Sequence, residues 1–154
     1  MGSRIDLDMP TRFVHVNVIA RDWRRLATFY QAVFGCEPVP PERDQSGDWL
    51  DLATGLRDAH IRGMHLRLPG GGPTLEVYQY DSMPERPEIR PNTPGFSHIA
   101  FRVDDVQSVA NDVLSNGGSK VGEIEQVDIA GVGVLQFQYV ADPEGNIIEI
   151  QHLS

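Results

Sequence analysis

Phe13-Val14-His15-Val16-Asn17-Val18 has a second version in the chain, Phe96-Ser97-His98-Ile99-Ala100-Phe101, at an offset of 83 residues from Phe13 to Phe96. Self-similarity at a fixed offset is the mark of a repeated structural unit. Carried forward, the offset places Asp22-Trp23 on Asp105-Val106, Leu26 on Val109, Tyr30 on Val113 and Gly35 on Gly118, a run of 23 positions (13 to 35) without a gap. The halves also end alike. Leu75-Glu76-Val77 matches Ile148-Glu149-Ile150 and Gly72 matches Gly145, now at an offset of 73 (from Gly72 to Gly145). The first half therefore holds an insertion of ten residues (83 less 73) between Gly35 and Gly72.

Each half reads as a strand, a helix and then three strands. Residues 12–19 alternate and are rich in β-branched side chains, which predicts a strand. Asp22 is a good N-cap, and Trp23, Leu26, Phe29, Tyr30, Val33 and Phe34 follow at helical spacing up to Gly35, placed to end the helix in a left-handed turn. In the second half Asp105 caps a stripe of Val106, Val109, Val113 and Leu114, and Gly117-Gly118 stop it. Further strands are expected at about 48–54, 60–68 and 73–80, and at 119–128, 132–140 and 146–152. Gly70-Gly71-Gly72 reads as a hairpin turn. Pro84, Pro87, Pro91 and Pro94 exclude helix and strand interior from 81–95. The expected division is an N-terminal tail (1–11), a first module (12–80), a proline-rich linker (81–95) and a second module (96–154).

The 154 residues suit one domain of two halves, with 40% apolar and 23% charged residues. A net charge of −9 repels phosphate backbones and anionic lipid, so neither nucleic acid nor a membrane surface is an expected partner. One cysteine, Cys36, forms neither an intrachain disulfide nor a thiolate zinc cluster, and it is expected as a small packed residue. With no long apolar stretch and no signal-peptide core, the expected location is the cytoplasm.

Strand alternation separates an aliphatic face from a mixed one in each half. Val14, Val16 and Val18 oppose Phe13, His15 and Asn17; Leu75 and Val77 oppose Glu76, Tyr78 and Tyr80. Ile99, Phe101 and Val103 oppose His98, Ala100 and Arg102; Ile148 and Ile150 oppose Glu149 and Gln151. The aliphatic faces should lie under the helices. His15, Glu76, His98 and Glu149 all fall on the mixed faces, and their equivalence between the halves is the notable feature. A solvated surface has no reason to repeat the same histidine and glutamate twice. Two imidazoles and two carboxylates suit one divalent ion (Zn, Ni, Co, Fe or Mn), and the absence of thiolate argues against a closed structural zinc site. An octahedral shell would leave two positions for water or for a substrate with adjacent oxygens. His60 and His65 have no equivalents and His152 has the opposite strand parity from Glu149, so all three read as surface or packing residues; Trp49 reads as a core residue ahead of a pocket-lining one.

These residues resemble the vicinal oxygen chelate superfamily, which contains glyoxalase I, methylmalonyl-CoA epimerase, extradiol dioxygenases and fosfomycin- and bleomycin-resistance proteins. The resemblance rests on the two six-residue stretches quoted first, on Phe29-Tyr30-Gln31-Ala32-Val33-Phe34-Gly35, on Leu75-Glu76-Val77-Tyr78-Gln79-Tyr80 and on Asp142-Pro143-Glu144-Gly145-Asn146-Ile147-Ile148-Glu149. It implies an α+β fold of two βαβββ modules forming an open, U-shaped mixed β-sheet barrel with the helices on its outer face. It also implies one metal held by His15, Glu76, His98 and Glu149, and often a homodimer, sometimes with sites completed by the second chain. The ligand set is similar to that of glyoxalase I. The leading expectation is a metal-dependent lyase or isomerase that abstracts a carbon-bound proton and stabilises an enediolate. Glu149 or Glu76 serves as base, equivalent by pseudosymmetry. Asn17, Tyr78 and Arg102 share the ligand faces and are the expected substrate contacts. The alternatives are an Fe(II) ring-cleaving dioxygenase and a small-molecule binding protein without chemistry.

Overall fold

The computed structural model describes residues 10–154, so the expected tail over 1–11 falls almost wholly outside the described residues. The first half runs β1 (His15–Ile19), α1 (Trp23–Phe34), β2 (Glu37–Ser46), α2 (Asp48–Thr54), β3 (His60–Arg67) and β4 (Thr74–Tyr80). The second runs β5 (His98–Arg102), α3 (Val106–Ser115), β6 (Ser119–Lys120), β7 (Glu125–Ile129), β8 (Gly133–Ala141) and β9 (Ile147–Leu153). Each half forms its own open mixed sheet. The orders β1-β4-β3-β2 and β5-β9-β8-β6 correspond, with β7 also paired to β8. In both, the first strand runs parallel to the last.

The helix signals act as read. The Asp22 carboxylate accepts from the Arg25 amide, and Gly35 closes α1 at φ 68° with its N–H donated back to the helix. Asp105 caps α3 by accepting from the Ser108 amide.

Residues 48–54 differ from expectation. They form the short helix α2, not a strand, after the first module's second strand at 37–46. The prolines of Glu37-Pro38-Val39-Pro40-Pro41 hid that strand. Proline is tolerated there because β2 is the outer strand of its sheet and pairs on one side only, with β3. Leu50 of α2 is buried against Ala59, Ile61, Tyr78 and Tyr80, forming a small second core on the mixed face of sheet one. Trp49 is 57% exposed, so the expectation of a core tryptophan is corrected.

The main core is shared. Leu26, Phe29 and Tyr30 of α1 lie in one cluster with Leu66, Leu75 and Val77 of sheet one and with Val106, Val113, Val140, Ile148 and Ile150 of the second half. Phe34 stacks on Phe101 with ring centroids 4.0 Å apart. Both sheets thus turn their aliphatic faces toward one core that contains both helices. By the two-residue period, both mixed faces point away from it. A buried polar staple joins the halves: the Tyr30 hydroxyl donates to Asp142 Oδ2 at 2.7 Å, and the same carboxylate accepts from the amides of Glu144 and Asn146. No helix among the described residues is long and apolar enough to cross a membrane.

Candidate functional site

On sheet one, register brings the polar side chains together. Asn17 lies opposite Glu76 across the parallel β1–β4 pair, and His65 lies opposite Glu76 across the β3–β4 hairpin. Glu76 is 8% exposed, yet both of its carboxylate oxygens are engaged. Its Oε1 lies 2.9 Å from His15 Nε2 and accepts from Asn17 Nδ2 at 3.5 Å. Its Oε2 accepts from the Tyr78 hydroxyl at 2.9 Å and lies 2.8 Å from His65 Nε2. The same His65 nitrogen is 2.7 Å from the Tyr78 oxygen. Burial pushes the Tyr78 hydroxyl up to about 12, helped by its bond to Glu76, so it stays a donor. Burial also lowers His65, against the pull of Glu76, favouring the neutral imidazole.

Gly63 permits this packing. It pairs with Tyr78, and a Cβ there would sit 2.1 Å from the Val77 carbonyl oxygen and 2.6 Å from the Tyr78 ring. A side chain at 63 would displace the ring that holds Glu76.

On sheet two the same places are occupied more loosely. Gln151 Nε2 donates to Glu149 Oε2 at 2.7 Å, and Arg102 donates to Gln151 Oε1 at 3.2 Å. His98 is exposed, with its ring edge-on to Tyr139 at 5.0 Å between centroids. Leu135, Phe137, Tyr139 and Leu153 share this face and are only half-buried.

The backbone geometry of the two pairs is the same. His15 pairs with Thr74 and Asn17 with Glu76; His98 pairs with Ile147 and Ala100 with Glu149. Each histidine sits two residues before the partner of its glutamate. The four residues do not gather within one chain, however. Among the described residues no group of three or more histidine, cysteine, aspartate or glutamate side chains is placed to hold a metal ion. The reason is the shared core, which turns the two mixed faces outward.

His65, expected as a surface or packing residue, joins the cluster around Glu76. The hairpin turn expected at Gly70-Gly71-Gly72 held the signal, because strands folded about it bring 65 opposite 76. His60 lies at the far end of β3 between Asp81 (2.8 Å from Nδ1) and Asp44, and these bonds raise its pKa. His152 contacts the Val103 carbonyl and not the site. Cys36 is buried, and burial pushes its thiol up to about 11.

A hollow of about 1040 Å³ opens beside Asn17. Its walls come from the end of β1, the segment after α2, residues 82–89 and the Glu144–Asn146 turn.

Two open mixed sheets of matching order, each with its helix on the aliphatic side and a histidine–glutamate pair on the other, define a two-module α+β scaffold. The family model described as Glyoxalase/Bleomycin resistance protein/Dioxygenase superfamily matches residues 12–150, and the chain belongs to that superfamily. A glyoxalase family protein from Bacillus cereus has a similar structure, with TM-score 0.80 at 17% identity over 97% of this chain and 98% of that one. A glyoxylase/bleomycin resistance protein/dioxygenase domain from Frankia gives 0.59 at 15% identity over 94% and 98%. A glyoxalase family protein from Enterococcus faecalis gives 0.57 at 22% identity over 94% and 98%. At these identities the structures establish a common fold. No curated protein matches the chain.

Proposed function

We propose that the protein is a divalent-metal-dependent lyase or isomerase, glyoxalase I-like or epimerase-like, acting on a small substrate with two neighbouring oxygens. We further propose a homodimer in which His15 and Glu76 of one copy face His98 and Glu149 of the partner subunit. The observation that carries the reading is the identical register of the two histidine–glutamate pairs on outward faces. The half-buried apolar side chains around Glu149 support a second copy as their cover.

The donor chemistry fits a divalent ion, since an imidazole nitrogen and a carboxylate oxygen already lie 2.9 Å apart at His15 and Glu76. When bound, the ion would supply positive charge that stabilises anionic oxygen. The rest is work for side chains. Glu76 has four neighbours and is fixed. Glu149 has one hydrogen-bond partner among the described residues, Gln151, and is half-buried. The carboxylate that takes the carbon-bound proton is therefore Glu149, with Glu76 as the fixed anchor. Asn17 and Tyr78 orient the substrate near Glu76, and Arg102 offers a cation to an anionic group beside Glu149.

The test follows proton exchange by NMR in deuterated water, over a panel of 2-hydroxy acids and 2-oxoaldehyde–thiol adducts. Glu149→Gln should lower exchange on the accepted compound by about 10²–10⁴-fold. It should leave the metal content measurable. An unchanged exchange rate would refute the role of Glu149.

A second reading, a binding protein without chemistry, is favoured by the size of the hollow beside Asn17. Tight binding with no exchange on any compound and no retained metal would establish it in place of the first.

A further inference from the structure

The hollow beside Asn17 combines the end of β1 and the Glu144–Asn146 turn with parts of the chain that break the internal repeat. Thr54 and Leu56 lie between Gly35 and Gly72, the stretch holding the insertion that shifts the offset from 83 (Phe13 to Phe96) to 73 (Gly72 to Gly145). Residues 82–89 lie between the repeats, and only the Glu144–Asn146 turn comes from the second half. The duplicated scaffold thus supplies the histidine–glutamate pairs and part of the cavity wall, and the added segments supply the rest.

Its size and chemistry limit the occupant. At about 1040 Å³ it reaches the upper end of small-molecule pockets, far more than a three-carbon substrate fills. Ile19, Leu56, Tyr80, Met83 and Ile89 line it, and Ile19 and Leu56 are 39% and 48% exposed. Its charged walls are Arg21 and Arg86 against Glu85, Glu88 and Glu144, two cations against three anions. The cation Arg86 is already engaged, donating to Asn146 Oδ1 at 2.6 Å. A phosphate- or carboxylate-bearing tail finds no net attraction there. A neutral apolar tail finds uncovered Ile19 and Leu56. Asn17 lines the same hollow and donates to Glu76, so one side chain links the cavity wall to the polar cluster.

We infer that the hollow takes the tail of an amphiphilic substrate, a neutral alkyl or aryl group whose oxygen-bearing head lies at Asn17 and Glu76. The head placement rests on the reading under Proposed function; the tail pocket does not.

Calorimetric titration of the full-length protein with 2-hydroxyalkanoates of increasing chain length tests the inference. Straight-chain 1-alkanols and the matching ω-carboxylates serve as controls. Affinity should rise by about fourfold per added methylene, corresponding to about 0.8 kcal/mol per buried CH₂. The ω-carboxylates should lose most of that gain. Leu56→Asp and Ile19→Asp alter exposed positions, so the fold should survive, checked by circular dichroism. Each should flatten the chain-length slope at least several-fold. A flat slope in the wild-type protein, or an unchanged slope in both variants, overturns the inference. If alkanols bind as tightly as hydroxyalkanoates of equal length, the tail pocket stands and the proposed head-group site falls.

Discussion

Glu76 and Glu149 occupy equivalent places in a duplicated chain, yet their surroundings differ. Glu76 is gripped by His15, Asn17, His65 and Tyr78, whereas Glu149 is touched by Gln151. Sheet one has part of its mixed face covered by α2, and sheet two leaves Leu135, Phe137 and Leu153 half-buried on that face. The two halves therefore keep the same residue types and the same register while the two carboxylates differ in their hydrogen-bond partners. In the proposed reading, the enclosed carboxylate is the anchor and the more open one takes the proton.

The largest effect should come from breaking the two halves in separate chains. His15→Ala and His98→Ala should each abolish metal retention and proton exchange. Mixing the two variants under subunit exchange should restore about one quarter of wild-type activity. In a cross-subunit arrangement half of the dimers are mixed, and each mixed dimer keeps one intact site. No recovery in verified mixed dimers would mean that the halves do not meet across subunits.

Stability should show the same asymmetry less steeply. Tyr78→Phe leaves buried Glu76 and His65 short of a partner and should cost about 1–3 kcal/mol in urea unfolding. Gln151→Ala, on the more open face, should cost under about 1 kcal/mol. Equal losses would remove the distinction between an enclosed and a more open carboxylate.

The smallest effect should lie at the other end of β3. His60 is hydrogen-bonded by Asp44 and Asp81, and its folded pKa lies above the free value of about 6.5. Protonation therefore favours the fold. Its contribution is complete below the free value and fades as pH rises through the raised one. The melting-temperature difference between wild type and His60→Gln should be largest near pH 5.5–6 and vanish in the alkaline range. A difference independent of pH would assign His60 a packing role only.

Much of this was legible in the chain. The repeat, the two capped helices and the parity of His15, Glu76, His98 and Glu149 follow from short periods that survive divergence. Residues 48–54 misled because a run of alternating apolar positions this short suits either a strand or a helix. β2 was hidden because its prolines are excluded from central strands and allowed at an edge. His65 stayed out of view because its partner is set by hairpin register and not by any repeat in the sequence.

The sequence by itself determined that two equivalent modules would exist and that each would present one histidine and one glutamate on its non-aliphatic face, since side-chain parity is fixed by the two-residue period of a strand. Only the tertiary structure decided that the helices of both modules share one core, sending the two mixed faces outward and keeping the four residues from gathering within one chain. Parity is a local property of the backbone. The direction in which a finished sheet faces depends on burying apolar surface from both halves at once, which no single stretch of residues encodes.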